Sequence, residues 1–418
     1  MEVAVVGSGI AGMACAWLLR EHAKVTLFER ENGFGGHTNT VGIREGGQTI
    51  PVDTGFMVYN EQTYPQLIDL FRGIGVSGVP TDMSFGVQDR TNGLAYACSG
   101  LKTYFAQWRR IIDPGHWRLL SEILRFFREA TEAIKQSTLS EEQTLGAFLQ
   151  QGGYSSRFRE HFLLPMTGAI WSSRPEQMLK YPARFLLQFM HNHGLLGVGT
   201  QFQWYTFRGG SDVYKSKILE QARPERHLST PVKCVRQDAS TAVAQLENGQ
   251  TRSFDAVLIA AHADEALKLL EHPSDQESAL LGAFEYSKNR AILHDDRSVM
   301  PREKAAWASW NYCLESGDDG KRVTTHYWMN RLQPLETNVD YFVSLNEDRV
   351  APERIHWQQD YTHPCFNAES MKAQEQLPVL NQSGPVYFCG SYFGNGFHED
   401  AFVSAKSAVE QLLTNQRA

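Results

Sequence analysis

Three glycines and one acid near the start of the chain have the spacing of a dinucleotide-binding loop. Gly7, Gly9 and Gly12 follow the apolar run 3–6 and open a stretch rich in Ala and Leu. In such a loop the first glycine turns tightly, the second admits a pyrophosphate and the third packs helix against strand. Glu29, 17 residues after Gly12, ends a second predicted strand and can accept hydrogen bonds from a ribose. A strand before the loop and a helix after it favour a ligand site over a simple glycine turn.

A second glycine-rich segment lies near the other end of the chain. Residues 384–389 predict a strand ending at Gly390, residues 394–400 a loop, and residues 401–413 a helix. The start of such a helix carries partial positive charge and stabilises an anion placed there. Asp400 is either close to that anion or an ordinary N-cap, and the sequence leaves both roles open.

Several motifs resemble those of the flavin amine oxidase and phytoene desaturase superfamily. They are the Gly35-Gly36 doublet after Glu29, the segment 51–58 around Gly55, and the C-terminal loop and helix. The resemblance implies non-covalent FAD, with the doublet along its phosphates and ribityl chain and the last helix pointing at the flavin. His37 stands where the superfamily often has Arg, so a fixed positive charge is not implied there. The residues predicted to bind FAD are Gly7, Ser8, Gly9, Ile10, Ala11, Gly12, Glu29, Arg30, Gly35, Gly36, His37, Thr38, Gly55, Phe56, Met57, Val232, Gly390, His398, Glu399, Asp400 and Ala401.

The same resemblance implies an α/β fold with a discontinuous, Rossmann-like FAD-binding domain and a second, α+β substrate domain. The FAD-binding domain is predicted over 1–60, 205–270 and 375–418, and the substrate domain over 61–204 and 271–374. Apolar residues at helical spacing over 103–135 predict a helical part, and residues 305–312 and 323–330 predict strands of an antiparallel sheet. Substrate is expected between this second domain and the flavin.

Four longer stretches are similar to bacterial predicted NAD/FAD-binding proteins, which resemble the flavin oxidoreductase region fused to plant cyclopropane-fatty-acid synthases. They are residues 52–56, 289–295, 307–312 and 396–400. The resemblance implies hydride transfer between flavin N5 and a hydrophobic, fatty-acyl lipid substrate. One alternative is a flavin-containing amine oxidase, with Tyr312, Trp328 and Tyr392 as its aromatic walls. Another is a redox-silent, flavin-binding partner of a lipid methyltransferase.

His398, His326 and Tyr312 are the candidate catalytic residues. His398 adjoins the loop expected at the flavin, where it either relays a proton or orders the loop. His326 alternates with Trp328 and Asn330 along a predicted strand, so the three share one face. That face either lines a pocket or packs in the core. The Tyr312 side chain likewise lies either in a pocket or in the core.

Composition narrows the other classes of function. The net charge of −7 gives no reason to expect nucleic-acid binding. The six cysteines are scattered with no C-x-x-C pair, which predicts free thiols and no metal site. We find neither a secretory leader nor an apolar run long enough for a membrane span, so a cytoplasmic location is expected.

Two further segments bear on the substrate. Residues 102–128 combine Lys and Arg with aromatic side chains. They form either a basic face for an anionic membrane or an acyl-carrier phosphate, or an ordinary solvated helix face. Residues 162–196 are rich in Phe and Leu and predict an apolar tunnel for a long acyl chain.

Overall fold

The computed structural model describes residues 1–140, 142–171, 175–238, 240–317 and 320–416. One half of the molecule is organised by a five-stranded, fully parallel sheet. Four of its short strands are apolar and almost entirely buried, as parallel sheets require, and the edge strand Glu225–His227 is polar and mostly exposed. In spatial order the strands are Glu225–His227 (β10), Lys24–Phe28 (β2), Glu2–Val6 (β1), Ala256–Ile259 (β14) and Val386–Phe388 (β20). All three segments predicted for the FAD-binding domain thus contribute strands to this sheet.

Three small antiparallel sheets surround the parallel one. The first contains Val232–Gln237 (β11), Ala242–Leu246 (β12) and Thr251–Phe254 (β13). The second is a hairpin of Thr40–Glu45 (β3) and Gln48–Asp53 (β4). The third contains Tyr59–Asn60 (β5), Trp204–Thr206 (β9) and Val79–Thr81 (β6), in that order.

The second half of the molecule is organised by a seven-stranded sheet. In spatial order its strands are Ile355–Cys365 (β19), Glu285–His294 (β15), Phe342–Leu345 (β18), Gly320–Trp328 (β17), Trp310–Gly317 (β16), Phe85–Asp89 (β7) and Leu94–Ala97 (β8). Its strands are antiparallel except for the parallel pair β7–β16. The inner face of this sheet, which carries Val343 and Tyr327, joins the core of the parallel sheet. The outer face carries Phe342 and Trp328 and packs in a separate small cluster.

Helices cover the parallel sheet and complete the second domain. Ile10–Leu19 (α1), Asp212–Ala222 (α10) and His398–Asn415 (α15) pack together beside the parallel sheet. The helices of the region before β9 are Pro65–Gly73 (α2), Leu101–Tyr104 (α3), Pro114–Lys135 (α4), Leu145–Gln151 (α5), Ser156–Phe158 (α6), Leu164–Trp171 (α7), Pro175–Met178 (α8) and Ala183–Asn192 (α9). The others are Ala263–Leu269 (α11), Asp275–Gly282 (α12), Met329–Leu332 (α13) and Ala368–Gln376 (α14). Among the described helices, none is both long and apolar enough to cross a membrane.

The single helical pattern predicted over 103–135 is wrong in its first third. Helix α3 ends at Tyr104, a 3-10 turn spans Trp108–Ile112, and α4 starts only at Pro114. Proline fits the first helical position, and the Asp113 carboxylate accepts the Gly115 N–H at 2.8 Å as an N-cap. These start signals override the apolar spacing that runs across the break.

Two strand predictions also need correction. The strand predicted over 305–312 begins only at Trp310, because Lys304–Ala306 forms a 3-10 turn. The strand predicted over 323–330 ends at Trp328, where α13 takes over. The first segment of the second domain, expected to be helical, also supplies β7 and β8 to the sheet.

Candidate cofactor site and active site

The glycine loop between β1 and α1 has the geometry that its sequence predicts. Gly7 has a φ of +98°, and a Cβ there would overlap the carbonyl oxygen of Ala260. A Cβ at Gly12 would overlap the carbonyl oxygen of Gly7, so helix and turn could not pack as closely. A Cβ at Gly9 would meet no protein atom within 4 Å. The protein's own packing therefore requires Gly7 and Gly12, whereas Gly9 faces open space that suits a pyrophosphate.

Glu29 is a buried carboxylate tied to the glycine loop. Its Oε2 accepts hydrogen bonds from the N–H of Ser8 at 3.0 Å and from Ser8 Oγ at 2.5 Å. Its Oε1 accepts from the N–H of Glu31 at 3.0 Å. These bonds fix the carboxylate beside the first turn of α1, where Ile10 and Ala11 are buried. Each carboxylate oxygen can accept further bonds, so the position suits a ribose.

Val232 and Arg30 lie at the edge of this region. The N–H of Thr230 donates to the carbonyl of Glu29 at 2.9 Å, which brings the start of β11 and Val232 beside the loop. Arg30 points toward α11 instead, where its guanidinium pairs with Glu265 at 2.8 Å. The binding of the adenine near the Val232 backbone stays a prediction from the sequence.

The glycine doublet folds back onto the first loop. The N–H of Gly35 donates to Ser8 Oγ at 3.1 Å, and the N–H of Thr38 donates to the carbonyl of Gly35 at 2.9 Å. A Cβ at Gly36 would lie 3.3 Å from the Cα of Gly9. The doublet therefore borders the open space at Gly9, as the resemblance to the flavoprotein superfamily implies.

The segment around Gly55 lies directly on the backbone of His37. A Cβ at Gly55 would overlap the carbonyl oxygen of His37, and the N–H of Phe56 donates to that oxygen at 2.8 Å. Met57 is buried, and its carbonyl accepts from Thr206 Oγ1 at 2.8 Å. Gly55 is thus a close-approach position, but the approaching group in this structure is protein backbone.

His398 joins the C-terminal helix to both of the earlier segments. It is the first residue of α15, which begins three residues earlier than predicted. Its Nε2 lies 3.2 Å from Thr38 Oγ1, and its ring stacks on Phe56 with centroids 4.0 Å apart. Burial lowers the pKa of His398 to about 3, so its ring is neutral at neutral pH.

The two acids after His398 are engaged by protein N–H groups. Asp400 is the third residue of α15 and not its N-cap, and its carboxylate accepts the Phe397 N–H at 2.9 Å. The Glu399 carboxylate accepts the N–H groups of Gln66 and Leu67 at 2.9 and 2.8 Å, and so caps the start of α2. Both acids thus have structural roles, and their contact with the cofactor stays a prediction from the sequence. The positive end of α15 is the feature that suits an anionic ring.

Gly390 and Ala401 pack the start of α15 against the end of β20. The N–H of Gly390 donates to Ser404 Oγ at 2.9 Å, and a Cβ at Gly390 would overlap the ring of Tyr392. Ala401 is buried, and its N–H donates to the carbonyl of Phe397. Both residues hold the helix start in place by their small size.

A cluster of neutral histidines surrounds His37. The ring of His37 stacks on Tyr361 with centroids 4.6 Å apart, and its centroid lies 5.4 Å from that of His363 and 6.3 Å from that of His262. Burial lowers the pKa of His37 well below its usual range and that of His363 to about 4. His37 therefore supplies no fixed positive charge. Its Nε2 is buried without a hydrogen-bond partner in the described part of the chain, as expected beside a ligand.

Sequence reasoning missed His262 and His363. His262 follows β14 at the carboxyl end of a parallel strand, where α/β sheets bind ligands, so this one signal was available. His363 lies on β19, opposite Ser287 of β15. Only strand pairing brings His363 to the site, and no local pattern indicates it.

Two aromatic residues of β16 lie on the inner side of the seven-stranded sheet. Trp310 is paired with Tyr327, and Tyr312 with Thr325. The indole Nε1 of Trp310 and the hydroxyl of Tyr312 are buried and have no hydrogen-bond partner among the described residues. The same holds for the hydroxyl of Tyr392. Buried polar atoms of this kind are costly unless a partner satisfies them, so the inner side of β16 is a candidate substrate region.

An aromatic wall extends from the helical part to the start of α15. Trp171 lies with its centroid 4.6 Å from that of Phe189, which stacks on Phe397 at 5.3 Å. Phe185 and Phe366 continue the wall with centroids 5.2 Å apart. The indole Nε1 of Trp171 donates to the carbonyl of Asn395, which fixes the wall to the C-terminal loop. The wall gives the region an apolar boundary.

His326 and Trp328 do not belong to this region. His326 is fully buried on the outer face, with Nδ1 2.7 Å from Ser344 Oγ and Nε2 3.1 Å from Thr324 Oγ1. Trp328 shares that face and donates from Nε1 to Asp340. The prediction of a catalytic His326 is therefore wrong, and so is an aromatic wall that includes Trp328. The alternation along β17 correctly places both side chains on one face of the strand, but that face is the outer face of the sheet.

These features define a class of protein. A parallel sheet with a glycine loop, a buried acid after β2 and a C-terminal helix aimed at the same space is the arrangement that binds a flavin dinucleotide. A family model described as flavin containing amine oxidoreductase matches residues 10–321. The chain belongs to that family and is an FAD-dependent oxidoreductase.

Solved structures and a curated protein extend the comparison. Cyclohexylamine oxidase from Brevibacterium oxydans is similar over 100% of this chain and 99% of its own, with a TM-score of 0.70 and 15% identity. A fatty acid isomerase from P. acnes is similar over 98% of both chains, with a TM-score of 0.68 and 12% identity. At these identities the likeness shows the fold alone. The carotenoid phi-ring synthase of Streptomyces griseus is 45% identical over 64 residues, which are 15% of this chain and 12% of that protein.

Proposed function

We propose that this oxidoreductase exchanges a hydride between flavin N5 and a carbon of a hydrophobic, fatty-acyl lipid substrate, with FAD held non-covalently. Bound FAD supplies the two-electron chemistry. The observation that supports the lipid substrate is the aromatic wall beside the start of α15, where half-buried Phe185 and Phe397 lie against Trp171 and Phe189, which are buried. A long acyl chain binds such a wall without a charged anchor, because each buried methylene contributes about 0.8 kcal/mol.

The chain's own groups have defined tasks in this proposal. The glycine loop holds the phosphates, and Glu29 accepts from the ribose. The positive end of α15 stabilises negative charge at the flavin pyrimidine. Burial raises the pKa of Tyr312 above its usual range, so its hydroxyl stays protonated. This hydroxyl has no partner among the described residues and can donate to a polar atom of the substrate.

The charge of the region also favours an uncharged substrate. Glu399 and Asp400 are the acids beside His398, and both accept bonds from protein N–H groups. These backbone bonds hold the two carboxylates in place, although their oxygens can accept further bonds. The neutral histidines around His37 offer no charge to a substrate.

The wall is shorter than the tunnel predicted from residues 162–196. Much of that run is fully buried within the helical part, so it packs against protein and not against open space. The buried members include Phe162, Leu163, Leu186, Leu187 and Met190, and also Trp171 and Phe189 of the wall. Residues 172–174 of the run lie outside the described residues.

One observation favours an amine substrate instead. The Glu176 carboxylate lies near enough to Tyr312 to raise the pKa of that hydroxyl, and Glu176 is exposed. A carboxylate there could hold an ammonium at the entrance to the β16 region. The structural neighbours do not decide, since the amine oxidase and the fatty acid isomerase match the fold almost equally well.

Anaerobic reduction separates the two substrates. We expect the absorbance of the oxidised flavin to bleach when the protein is mixed with a fatty-acyl phospholipid. If the reaction runs in the reverse direction, an unsaturated phospholipid should reoxidise the reduced flavin. Simple mono- and polyamines should leave the flavin oxidised. Fast bleaching by an amine, with peroxide formed in air, would overturn the lipid assignment.

Glu176→Gln provides the matched variant for that measurement. An ammonium held by Glu176 predicts that the variant weakens amine-dependent bleaching about tenfold or more. The lipid proposal predicts equal bleaching by lipid in the variant and in the unmodified protein. Because Glu176 is exposed, the fold and the FAD content should not change.

Membership of a family of oxidoreductases gives no support to the redox-silent alternative. A lipid methyltransferase that acts together with this protein remains a prediction from the sequence. Its test is co-purification of the two proteins.

A further inference from the structure

The exposed apolar side chains of the molecule are concentrated in one place. Among the described residues ten large apolar side chains are exposed, and six of them lie between 101 and 124. These six are Leu101, Trp108, Ile111, Ile112, Trp117 and Leu124. Scattered exposed apolar residues need no explanation, but a cluster rimmed by polar groups marks an interaction surface. We call these six residues, with Lys102, Arg109 and Arg118, the basic apolar patch.

The patch is a preformed surface held together by its own contacts. The indole Nε1 of Trp117 donates to the carbonyl of Ile111 at 2.7 Å, which joins α4 to the 3-10 turn Trp108–Ile112. The ring of Phe105 lies 4.8 Å from that of Trp117 and joins α3 to the same unit. No residue of the 3-10 turn is buried, so the turn projects from the protein.

The outward charge of the patch is positive although the chain is acidic. Segment 101–124 contains four basic residues and two acids, in a chain whose net charge is −7. Both acids are occupied within the protein: Asp113 pairs with Arg157 at 3.1 Å and caps α4, and buried Glu122 accepts from Ser155. Lys102 and Arg109 remain on the surface, with the Arg109 guanidinium 5.5 Å from the centre of the Trp108 ring. Arg118 is also exposed, and its guanidinium lies 3.8 Å from Glu122.

We infer that the basic apolar patch docks the protein on the surface of a lipid bilayer that contains anionic headgroups. Trp and Ile side chains on a projecting turn enter the boundary between headgroups and acyl chains, and Trp is favoured at that depth. Arg and Lys beside them meet the lipid phosphates. The patch combines both components on one rigid turn. The inference concerns a surface and does not depend on which substrate the flavin oxidises or reduces.

Vesicle sedimentation tests the inference directly. The FAD-loaded protein is mixed with vesicles of phosphatidylcholine alone or of phosphatidylcholine with phosphatidylglycerol. We expect it to sediment with the mixed vesicles, and much less with the neutral ones. Because exposed charges are screened over about 8 Å at physiological ionic strength, added salt should release much of the bound protein.

Matched variants locate the contact on the patch. Trp108→Ser combined with Ile112→Ser should lower partitioning onto the mixed vesicles about tenfold or more. Arg109→Glu should lower it about tenfold as well. Val198→Ser and Lys372→Glu are the controls, since Val198 is as exposed as Ile112, at 80% each, and Lys372 is an exposed base on α14. All four proteins should keep their FAD and their thermal stability, because the changed side chains are exposed.

Three results would overturn the inference. The first is equal binding to neutral and mixed vesicles, or no binding to either. The second is an equal loss in the control variants. The third is a concentration-dependent dimer in solution that the Trp108 and Ile112 changes dissociate, since the patch would then be an interface between copies of this chain.

Discussion

The cofactor loops and the inner face of the seven-stranded sheet are held in place by different physical means. The loops are held by backbone: Gly36 borders Gly9, and Gly55 lies on the carbonyl of His37. The inner face is held by side chains on long paired strands, with Trp310 and Tyr312 on β16. A glycine contact requires one residue type, whereas a strand face accepts many. We therefore expect substitutions in the loops to act through geometry and those on β16 to act through chemistry.

Substitutions of the glycines in the first loop should have the largest effects. They distinguish a glycine that the protein's own packing requires from one that the ligand requires. Gly12→Val places a branched side chain on the carbonyl of Gly7 and should lower the free energy of unfolding by about 3 kcal/mol or more. A Cβ at position 9 meets no protein atom within 4 Å, so Gly9→Val should fold normally and lose FAD. Chemical denaturation and the flavin content of purified protein measure the two effects. A Gly9→Val protein that keeps its FAD would mean that the open space is not the pyrophosphate site.

Glu29, which follows β2, should contribute to FAD binding, whereas nearby Glu31 should not. Glu29→Ala removes a charged acceptor at the ribose position, on the order of 1.5–3 kcal/mol, or roughly 10- to 100-fold in FAD affinity. Glu31→Ala is the control, because that side chain is exposed and pairs with Arg30 at 3.3 Å. Titration of the apoprotein with FAD measures both. Equal affinities in the two variants would contradict the role given to Glu29.

Buried His326, on the outer face of the seven-stranded sheet, should make the protein less stable at acidic pH. Burial lowers the pKa of His326 to about 3, whereas an unfolded histidine has a pKa of about 6.5. Between these values the unfolded chain binds more protons, so the free energy of unfolding falls as pH drops below about 6.5, by about 1.4 kcal/mol per pH unit for one proton. His326→Gln should flatten that slope, and the same change at exposed His22 should not. Unfolding curves between neutral pH and pH ~5 measure the slopes, and parallel slopes for His326→Gln and the unmodified protein would contradict this reading.

The smallest expected effect distinguishes two buried tyrosine hydroxyls. Tyr312→Phe should leave stability almost unchanged, because the hydroxyl has no partner among the described residues, and should lower kcat/KM five- to tenfold, or about 1 kcal/mol. Tyr96→Phe should do the reverse, because the Tyr96 hydroxyl donates to the carbonyl of His161 in the core. Turnover and thermal unfolding of both variants measure this contrast. A stability loss without a rate loss at Tyr312 would make it a core residue.

The contrast between the regions also explains what the sequence could predict. Gly7, Gly12 and Gly55 take special conformations or close contacts that only glycine tolerates, so their types already indicate their geometry. The α/β class and the positions of the parallel strands along the chain were also predictable, because they follow from local sequence patterns. His262 had a weaker signal, its place at the end of β14.

The positions of side chains on the seven-stranded sheet were harder to predict, because they depend on the order of the strands and on which face of the sheet each side chain occupies. Alternation correctly put His326 and Trp328 on one face, but nothing local states whether that face is inner or outer. His363 reaches His37 only through the pairing of β15 with β19, which joins residues far apart in sequence. The helix start at His398 was missed because the acids that follow it looked like loop or cap residues.

The contact between His398 and Thr38 has a consequence for the time at which the protein becomes functional. These residues are 360 positions apart, and β20, at the edge of the parallel sheet, begins only at Val386. At roughly 5–20 residues per second, a ribosome needs on the order of 20–80 s after finishing β1 to deliver that last strand. During this interval the glycine loop exists without the helix that completes its site. The growing chain therefore cannot close around its cofactor until β20 and the start of α15 have been synthesised.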